Sequence, residues 1–546
     1  MIIMKKKNLV TCALPYANGP IHIGHLLEHI QADIFVRYKR MIGEKVFFIC
    51  ADDAHGTAIM LKAEEKKISE KILIKKILED HKKDFFNFNI IYDNYHSTHS
   101  KENLFFVKKA FYLLNKKKLI YIKKINQFYD IKKKMFLSDR YIKGTCPNCN
   151  CKNQYGDNCS LCGSFYSVMD LLSPKSAISK SDLVLKDTTN IFFNLSYFEK
   201  ILKKWIVSGV LDNAISKKVM EWFENGLKHW CISRDHPYFG FKIPGFKKKY
   251  FYVWLDAPIG YISTFKNLTN KNSKISFNEF WKKNSKNKLY HFIGKDIIYF
   301  HSIFWPALLD VMSFRKPTKI YVHGHVNING KKISKSKNSV ITAKKWLKNF
   351  NSDSLRYYYA SKISKNSQDI NINAYDFFNK INSGLVNNVV NLAMRNASFI
   401  NKYFDGMLSK KIYDIKNYKS FILKTNKIDF FFKNMQYKDV INEILKISSF
   451  ANFYINKKSP WVFIKNVNKF NYVQNVCSLG INFFRIIMIY LKPIVPSLSH
   501  KVEFFLNTKL NFKNIKRPLI NHKISNIKIL YKKIFIEDCK KFFENK

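Results

Sequence analysis

The fold of this chain is decided by residues 10–25, which have the sequence VTCALPYANGPIHIGH. Residues 10–14 form a short apolar run typical of a buried strand, and the turn residues at positions 15–20 end that run. From position 25 to 40, apolar residues recur at helical spacing, namely at Leu26, Ile30, Ile34 and Tyr38. We therefore predict a strand, a loop and a helix, with His22 and His25 at the start of the helix.

This junction suits the binding of a phosphate group. The first N–H groups of a helix point at any anion placed before it. The imidazoles of His22 and His25 can donate hydrogen bonds to phosphate oxygens, and Gly24 allows a nucleotide to approach the backbone closely. By itself, however, the segment would also fit two surface histidines around a turn glycine.

A second polar cluster follows about 300 residues later, at positions 329–338, with the sequence NGKKISKSKN. It carries four lysines between Lys331 and Lys337. Its turn residues and charge predict a mobile, cationic loop, which suits a site that stabilises charge in the transition state of nucleotidyl transfer. A solvated lysine and serine loop without a function is the alternative.

Composition limits the class of protein. The chain has 546 residues, 47% of them apolar, which is enough for several domains. We expect no apolar run long enough to span a bilayer and no secretory signal after Lys5, Lys6 and Lys7, and we therefore expect a cytoplasmic protein. The formal net charge of +54 favours a nucleic-acid partner. Compositional drift toward lysine would give the same excess, so the charge does not identify a binding face.

The cysteines are unevenly distributed. Of ten, five lie between Cys146 and Cys162. Four of these form two Cys-x2-Cys pairs separated by nine residues, a spacing typical of a structural Zn²⁺ site with four thiolates: Cys146, Cys149, Cys159 and Cys162. Cys151 is a fifth thiol, too close to Cys149 for a regular zinc knuckle, and its role stays open.

Along the chain, the pattern predicts an α/β fold with a doubly wound (Rossmann-type) parallel sheet. Strand-like runs at 45–51, 250–255, 289–293 and 319–322 alternate with helical ones such as 58–83. An insertion of short segments, which contains the predicted zinc site, is expected to split the sheet. Long amphipathic patterns after position 388, such as 428–453 and 479–491, predict an α-helical bundle. We expect the divisions 1–115, 116–230, 231–325, 326–387 and 388–546.

Longer motifs then make a family resemblance plain. Residues 22–25 (HIGH) and 332–336 (KISKS) resemble the two signatures of class I aminoacyl-tRNA synthetases, with Ile333 where the family has Met. Four further stretches resemble methionyl-tRNA synthetases of bacterial type: TCALPYANG at 11–19, ADDAHG at 51–56, YVWLDAPIGY at 252–261 and FIGKD at 292–296. The resemblance runs nearly from end to end.

The resemblance implies a reaction and its residues. The family activates L-methionine with Mg²⁺-ATP to methionyl-adenylate and transfers the methionyl group to the 3′ end of tRNA(Met), including the initiator. It implies catalytic roles for His22, His25, Lys332 and Lys335, and ATP contacts that also include Gly24, Ser334 and Ser336. The implied methionine site is Ala13, Leu14, Tyr16, Asp53, Trp254, Ala257, Pro258, Tyr261, Asp296, Ile297 and His301.

The resemblance also implies how tRNA is recognised. Asn391, Arg395 and Trp461 match family positions that contact the anticodon, where an amide, a guanidinium and an indole can bind unstacked bases. A structural Zn²⁺ at the four cysteines and a monomeric state are expected.

Two other functional classes stay open at this point. One is an RNA-independent nucleotidyltransferase acting on a small acid, against which the bundle residues argue. The other is a non-catalytic RNA-binding relative, which would be expected to lose His22, His25 or Lys335, and all three are present.

Overall fold

A five-stranded parallel sheet forms the centre of the first part of the chain. The computed structural model describes residues 7–156, 159, 161–162, 164, 166–332, 340–364, 367–526 and 528–544, and of residue 332 only the backbone. The first half of the sheet and its helices are β1 (Asn8–Cys12), α1 (Ile23–Met41), β2 (Val46–Asp52), α2 (Thr57–Glu65), α3 (Glu70–Asn87), β3 (Asn94–Ser97) and α4 (Lys101–Lys116).

An inserted region with its own small sheets follows α4. Its elements are β4 (Ile120–Asp130), β5 (Met135–Phe136), β6 (Ile142–Thr145), β7 (Gln154–Tyr155), β8 (Leu172–Ser176), β9 (Leu183–Phe193), α5 (Glu199–Trp205), α6 (Asn213–Glu224) and β10 (Trp230–Cys231). Strands β4 and β9 form a long antiparallel ribbon, from the pair Ile120 and Phe193 to the pair Asp130 and Leu183. The order β10-β9-β4-β5 and the order β7-β6-β8 give two separate antiparallel sheets.

The chain then returns to complete the parallel sheet. The next elements are β11 (Ser233–Asp235), β12 (Lys249–Phe251), α7 (Val253–Lys271), α8 (Phe277–Trp281), β13 (Lys288–Gly294), α9 (Trp305–Val311) and β14 (Lys319–His323). The strand order is β14-β13-β1-β2-β3, with every neighbouring pair parallel. The α/β class and the split parallel sheet expected from the sequence are thus confirmed.

Both faces of this sheet are covered, as a parallel sheet requires. In β2, Phe48 and Cys50 pack in one apolar cluster, whereas Phe47 and Ile49 pack in the cluster on the other face. The first cluster continues into the helical region, and the second continues toward the insertion. The sheet is therefore the layer on which the other parts of the protein pack.

A short connecting region precedes the helical bundle. It contains β15 (Val326–Ile328), β16 (Lys331–Lys332), α10 (Ala343–Asn349), α11 (Ser352–Ala360), β17 (Ile370–Ile372) and α12 (Ala374–Asn379). The bundle consists of α13 (Asn391–Tyr403), α14 (Ile415–Lys424), α15 (Asn426–Lys433), α16 (Tyr437–Lys458), α17 (Pro460–Phe463), α18 (Phe470–Leu491), α19 (Pro496–Phe505) and α20 (Ile536–Glu544). The α-helical C-terminal part expected from the sequence is confirmed.

Three segments differ from the sequence prediction. The strand expected at 250–255 ends at Phe251, and helix α7 begins at Val253, because a short apolar run does not distinguish a strand from a buried helix. The single helix expected over 58–83 is two helices, since Lys67 has a positive φ of 52° and Ser69 caps α3. The pattern over 428–453 is likewise broken near Met435, whose φ is 61°.

Helix α18 corrects the expectation about apolar runs. The segment Val467–Leu491 is long and apolar enough to cross a membrane by length and composition, but 83% of its most apolar window is buried inside the protein. It packs against α13 and α16 within the bundle. Its apolarity is thus accounted for by its position as the central helix of the bundle.

A buried arginine joins the bundle to the parallel-sheet region. Arg356 on α11 is fully buried and forms an ion pair with Asp33 on α1 at 2.6 Å. Its guanidinium also donates to the carbonyl oxygens of Pro493 and Ile494, just after α18, and of Phe88, just after α3. One side chain therefore connects four segments, and every one of its contacts is inside the protein.

We predict that Arg356→Met destabilises the protein strongly, because it leaves Asp33 with only Arg37 as an ion-pair partner and three carbonyls without a donor. Breaking a buried pair in this way costs about 3–5 kcal/mol. Urea unfolding followed by circular dichroism measures the effect. The control is Arg40→Met, which removes the more exposed pair with Asp93 and is expected to cost less than about 1 kcal/mol. Equal midpoints for the two variants would contradict the prediction.

Candidate active site

A cavity of about 1350 Å³ opens at the carboxyl ends of the parallel strands. Ala13 and Leu14 follow β1, Asp53 follows β2 and Asp296 follows β13, so consecutive strands each place a side chain at the same edge. Fourteen residues that the sequence assigned to ATP or methionine line this one cavity: Ala13, Leu14, Tyr16, His22, Gly24, His25, Asp53, Trp254, Ala257, Pro258, Tyr261, Asp296, Ile297 and His301. They come from separate parts of the chain, and folding brings them together.

His22 is the N-cap of α1. Its Nδ1 accepts hydrogen bonds from the backbone N–H groups of Gly24 (3.1 Å) and His25 (3.3 Å), and the two imidazoles stack with centroids 3.6 Å apart. Because Nδ1 of His22 is an acceptor, the neutral ring carries its proton on Nε2, which is the donor that a phosphate oxygen needs. A Cβ at Gly24 would approach the His22 ring to 3.0 Å. A side chain at this position would therefore press on the His22 ring and disturb the stacked arrangement.

Residues on either side of the second cationic cluster lie at this site. Lys332 pairs through its backbone with Asn327, whereas Ile333, Ser334, Lys335 and Ser336 lie outside the described residues. Val326, which precedes the cluster in sequence, and Val340, which follows it, both line the cavity. Ile341 accepts a hydrogen bond from the Ile23 N–H at 3.0 Å. The segment that leaves the cluster is therefore hydrogen-bonded to the first signature.

The apolar part of the cavity is built from stacked rings. Trp254 stacks on Phe300 with centroids 3.6 Å apart. Tyr261 donates from its hydroxyl to Nε2 of His301 at 2.8 Å, while Nδ1 of His301 donates to the carbonyl of Ile297 at 3.0 Å. Burial lowers the pKa of His301 to about 4, so the ring is neutral and its tautomer is fixed. This wall is rigid, polarisable and uncharged.

Asp53 is the acidic group of the cavity. Burial raises the pKa of this carboxyl group well above its usual range, and the nearby charge of Asp256 raises it further. Its Oδ1 is buried and accepts no hydrogen bond from the part of the chain that the structure describes. Burying a carboxylate oxygen without a hydrogen-bond partner is costly, so a ligand with a cationic group would complement this site.

Sequence reasoning missed several residues that line the cavity. Glu28 on α1 accepts from the Ala13 N–H at 2.5 Å, and its other oxygen lies 3.1 Å from Nε2 of His323 at the end of β14. Arg234 stacks on the Tyr252 ring, with Cζ 3.6 Å from the centroid. Glu28 is one helical turn beyond His25, and this spacing was the available signal. Arg234 and His323 have no comparable signal, because only the fold brings β11 and β14 to the site.

The inserted region forms another wall of the same cavity. Asp139, Arg140 and Tyr141, which lie between β5 and β6, are among its lining residues. Asn190 on β9 also reaches it. The insertion therefore does more than carry the cysteines, since it also shapes the opening of the site.

The four predicted cysteines converge at one point. Their Sγ atoms all lie within 4.8 Å of one another, with 3.8 Å between Cys146 and Cys162 and 3.6 Å between Cys149 and Cys159. Zn–S bonds of about 2.3 Å place tetrahedral sulfurs about 3.8 Å apart. The geometry fits a tetrahedral metal. The Sγ of Cys151 instead accepts a hydrogen bond from Gln154 Nε2 at 3.2 Å.

The bundle brings together the residues assigned to the anticodon. The Arg395 guanidinium lies over the indole of Trp461, with Cζ 4.9 Å from the centroid, and donates to Asn456 Oδ1 at 2.9 Å. Asn391 is one turn before Arg395 on α13, so both occupy the same face of that helix. Trp461 is 38% exposed, and Val462 beside it is 57% exposed. An exposed aromatic and cationic surface of this kind suits unstacked bases.

Comparison with known proteins gives a consistent result. The family profile described as tRNA synthetases class I (M) matches residues 8–397. The methionine–tRNA ligase of Buchnera aphidicola subsp. Schizaphis graminum (strain Sg) is 60% identical, over 97% of this chain and 97% of the relative. The methionine–tRNA ligase of Wigglesworthia glossinidia brevipalpis is 55% identical, again over 97% of both chains.

Solved structures agree on the fold. The chain is similar to Mycobacterium tuberculosis methionyl-tRNA synthetase in complex with methionyl-adenylate, with a TM-score of 0.78, 20% identity and coverage of 96% of this chain and 99% of that chain. The class I architecture found here thus also occurs in a distant relative. On the family profile and the end-to-end identity to its relatives, the chain belongs to the methionine–tRNA ligases, within the class I tRNA synthetases.

Proposed function

We propose that this protein activates L-methionine with ATP to methionyl-adenylate and transfers the methionyl group to the 3′ end of tRNA(Met). One observation carries the proposal: a single cavity holds the stacked histidines of the first signature, an apolar pocket of aromatic rings and the buried carboxyl group of Asp53, whose Oδ1 accepts no hydrogen bond within the described part of the chain. These three parts match the three parts of the reactants, which are a phosphate chain, a thioether side chain and an α-ammonium group.

The site orients methionine by its two ends. The α-ammonium group binds Asp53, which neutralises the buried charge on both partners. The thioether lies against Trp254 and Tyr261, because sulfur packs favourably on aromatic rings. The neutral, fixed tautomer of His301 holds the Tyr261 hydroxyl in place without adding charge to the pocket. The substrate carboxylate is thereby directed toward the nucleotide.

The chemical step needs charge stabilisation and no covalent enzyme intermediate. The methionine carboxylate oxygen attacks the α-phosphorus of ATP in line, and the bond to the bridging oxygen breaks, so that pyrophosphate leaves. His22 and His25 donate to the phosphate oxygens, with Gly24 leaving room for the nucleotide. Lys332 and Lys335 neutralise the charge on the leaving group, and Ser334 and Ser336 complete the nucleotide contacts.

Two metal ions have separate roles in this proposal. Mg²⁺ accompanies ATP and offsets phosphate charge when bound. Zn²⁺ is held by Cys146, Cys149, Cys159 and Cys162, whose sulfur spacing fits it. Four thiolates leave no open position, so this metal is structural. This metal would stabilise the part of the insertion that contains the four cysteines. The neighbouring residues 139–141 line the cavity.

The second half-reaction requires tRNA. Trp461 offers a stacking face, and Arg395 and Asn391 offer hydrogen bonds to anticodon bases. This surface favours the synthetase over an RNA-independent nucleotidyltransferase. We further propose a monomer in the cytoplasm that charges both elongator and initiator tRNA. Residues 1–115 and 231–325 form the catalytic domain, 116–230 the insertion, 326–387 the connecting region and 388–546 the tRNA-binding bundle.

We predict that Asp53→Asn impairs methionine binding, because the amide cannot neutralise the α-ammonium group. In methionine-dependent ATP–pyrophosphate exchange without tRNA, kcat/KM for methionine should fall about 10- to 150-fold, which corresponds to the roughly 1.5–3 kcal/mol of a charged hydrogen bond. Asp405→Asn, which alters an exposed ion pair with Lys523, is the matched control. Absence of exchange in the folded wild-type protein would refute the proposed function itself.

We predict that Trp461→Ala separates the two half-reactions. Aminoacylation of tRNA(Met) should weaken by roughly 10-fold or more, because stacking on one base is worth about 1–3 kcal/mol. ATP–pyrophosphate exchange should stay at the wild-type level. Phe453→Ala, at another exposed aromatic position of the bundle, serves as the control for loss of an exposed ring. An equal decrease in both reactions would count against a recognition role for Trp461.

We predict one zinc per chain, measured by mass spectrometry of the purified protein. Cys159→Ser should lower this content, because the hydroxyl of serine is a much poorer zinc ligand than a thiolate. Cys151→Ser is the matched control and should retain the metal, since its Sγ bonds to Gln154 outside the cluster. Loss of zinc in both variants would indicate that Cys151 is a ligand.

A further inference from the structure

A buried histidine outside the cavity has acceptors on both of its ring nitrogens. His81 on α3 is fully buried. Its Nδ1 lies 2.8 Å from Oδ1 of Asp52, and its Nε2 lies 2.8 Å from the carbonyl oxygen of Gly19. A carboxylate and a carbonyl oxygen both accept, and a neutral imidazole carries a single N–H. Beside the carboxylate form of Asp52, only the doubly protonated ring donates to both acceptors.

The charges around His81 favour this protonated form. Asp52 also accepts from the Tyr95 hydroxyl, and Asp84, one turn along α3, has a buried carboxylate without a hydrogen-bond partner in the described chain. Lys344 lies near Asp84 and favours its ionised form, and burial lowers the pKa of His29 to about 3, so that ring adds no charge. Burial alone would lower the pKa of His81, but the bonds to Asp52 and Gly19 and the charges of Asp52 and Asp84 raise it.

The two bonds join parts of the chain that the reaction uses. Gly19 lies three residues before His22, in the loop that connects β1 to the start of α1. Asp52 ends β2 immediately before Asp53. The preceding residue on α3, Asp80, pairs with Lys344 at 2.8 Å, just after the segment that is hydrogen-bonded to Ile23. Helix α3 thus contacts the chain ahead of the first signature and beyond the second.

We propose that His81 is a positioning residue for adenylate formation: as an imidazolium it holds the loop before His22 against the end of β2. The proposal rests on the proposed function, because the step it serves is the activation of methionine. His81 touches neither substrate and does not line the cavity. It acts by keeping the Gly19 carbonyl, and with it the start of α1, in one place.

The two substrates should respond differently to loss of this contact. The early part of the loop has its own attachment, because Ala17 donates to the Asp53 carbonyl at 2.8 Å and Asp53 donates to the Pro15 carbonyl at 2.9 Å. Tyr16 therefore remains at the methionine pocket. The later part, from Gly19 to His22, loses its charged hydrogen bond, and the nucleotide contacts of His22 loosen.

The test is the pH profile of ATP–pyrophosphate exchange for the wild type, His81→Gln and the control His96→Gln. His96 is a partly buried histidine on β3, 3.5 Å from Glu102, and burial lowers its pKa. We expect His81→Gln to lower kcat/KM for ATP about tenfold at neutral pH, the change that one charged hydrogen bond of about 1.5 kcal/mol produces. KM for methionine should change less than twofold, and His96→Gln should resemble the wild type.

The sign of the pH effect follows from the raised pKa. The contact is fully present below the usual histidine value of about 6.5 and is lost as the pH rises through the native pKa of His81. The wild type should therefore lose kcat/KM for ATP on this alkaline limb, and His81→Gln should lack the limb. Asp52→Asn removes the charge that holds the proton and should move the limb to lower pH. If His81 had a purely structural role, Asp52→Asn would not shift the alkaline limb.

A direct measurement covers the case in which His81→Gln fails to fold. In wild-type protein labelled with ¹⁵N in its histidine rings, the His81 signals should show two protonated nitrogens at neutral pH. A neutral His81, or parallel pH profiles for the wild type and His81→Gln, would overturn the proposal. Exchange by the wild type in the same assay keeps this outcome separate from failure of the proposed function.

Discussion

The parallel pairing of β1 with β13 is the interaction on which the rest of this structure depends. It joins Asn8 to Lys288 and Cys12 to Phe292, and on its other edge β1 pairs with β2. Everything between β3 and β13 must leave the sheet and return, which is why the insertion can carry its own sheets and the cluster of four cysteines. The carboxyl ends of β1, β2, β13 and β14 meet at one edge, and the cavity opens there because the chain leaves each strand at that edge.

The pKa shifts of residues in the cavity follow from their burial. The parallel sheet is covered on both faces, so the groups at its edge are poorly solvated. Asp53 has a raised pKa, whereas His301 has a lowered one. His301 is held by hydrogen bonds to Tyr261 and Ile297. The Oδ1 of Asp53 accepts no hydrogen bond within the described part of the chain. Arg356, outside the cavity, is also a buried charged group. Its guanidinium donates hydrogen bonds to protein groups and so fixes the bundle to the sheet region.

Much of this arrangement could be predicted from the sequence, and the reasons differ by residue. The two Cys-x2-Cys pairs predict a cluster of four cysteines that could hold a metal ion, since ligand spacing within a knuckle is a property of a few residues. His22 and His25 are likewise predictable from a strand, a turn and a helix start. The assignment of residues to methionine came from the resemblance, and all of those residues line one cavity. Arg234 and His323 were missed because their relation to the site exists only through β11 and β14, whereas Glu28 could have been found from its position one helical turn beyond His25.

The sequence by itself determined the class of fold, the two signatures, the cysteine cluster and the family, because each is encoded in short patterns of residue type. The tertiary structure decided what no local pattern contains. It showed that α7 begins where a strand was expected, that the insertion forms a wall of the cavity, and that His81 lies between Asp52 and Gly19. These relations depend on contacts between residues far apart in the chain, and their energies come from burial, which is known only once the neighbours are in place.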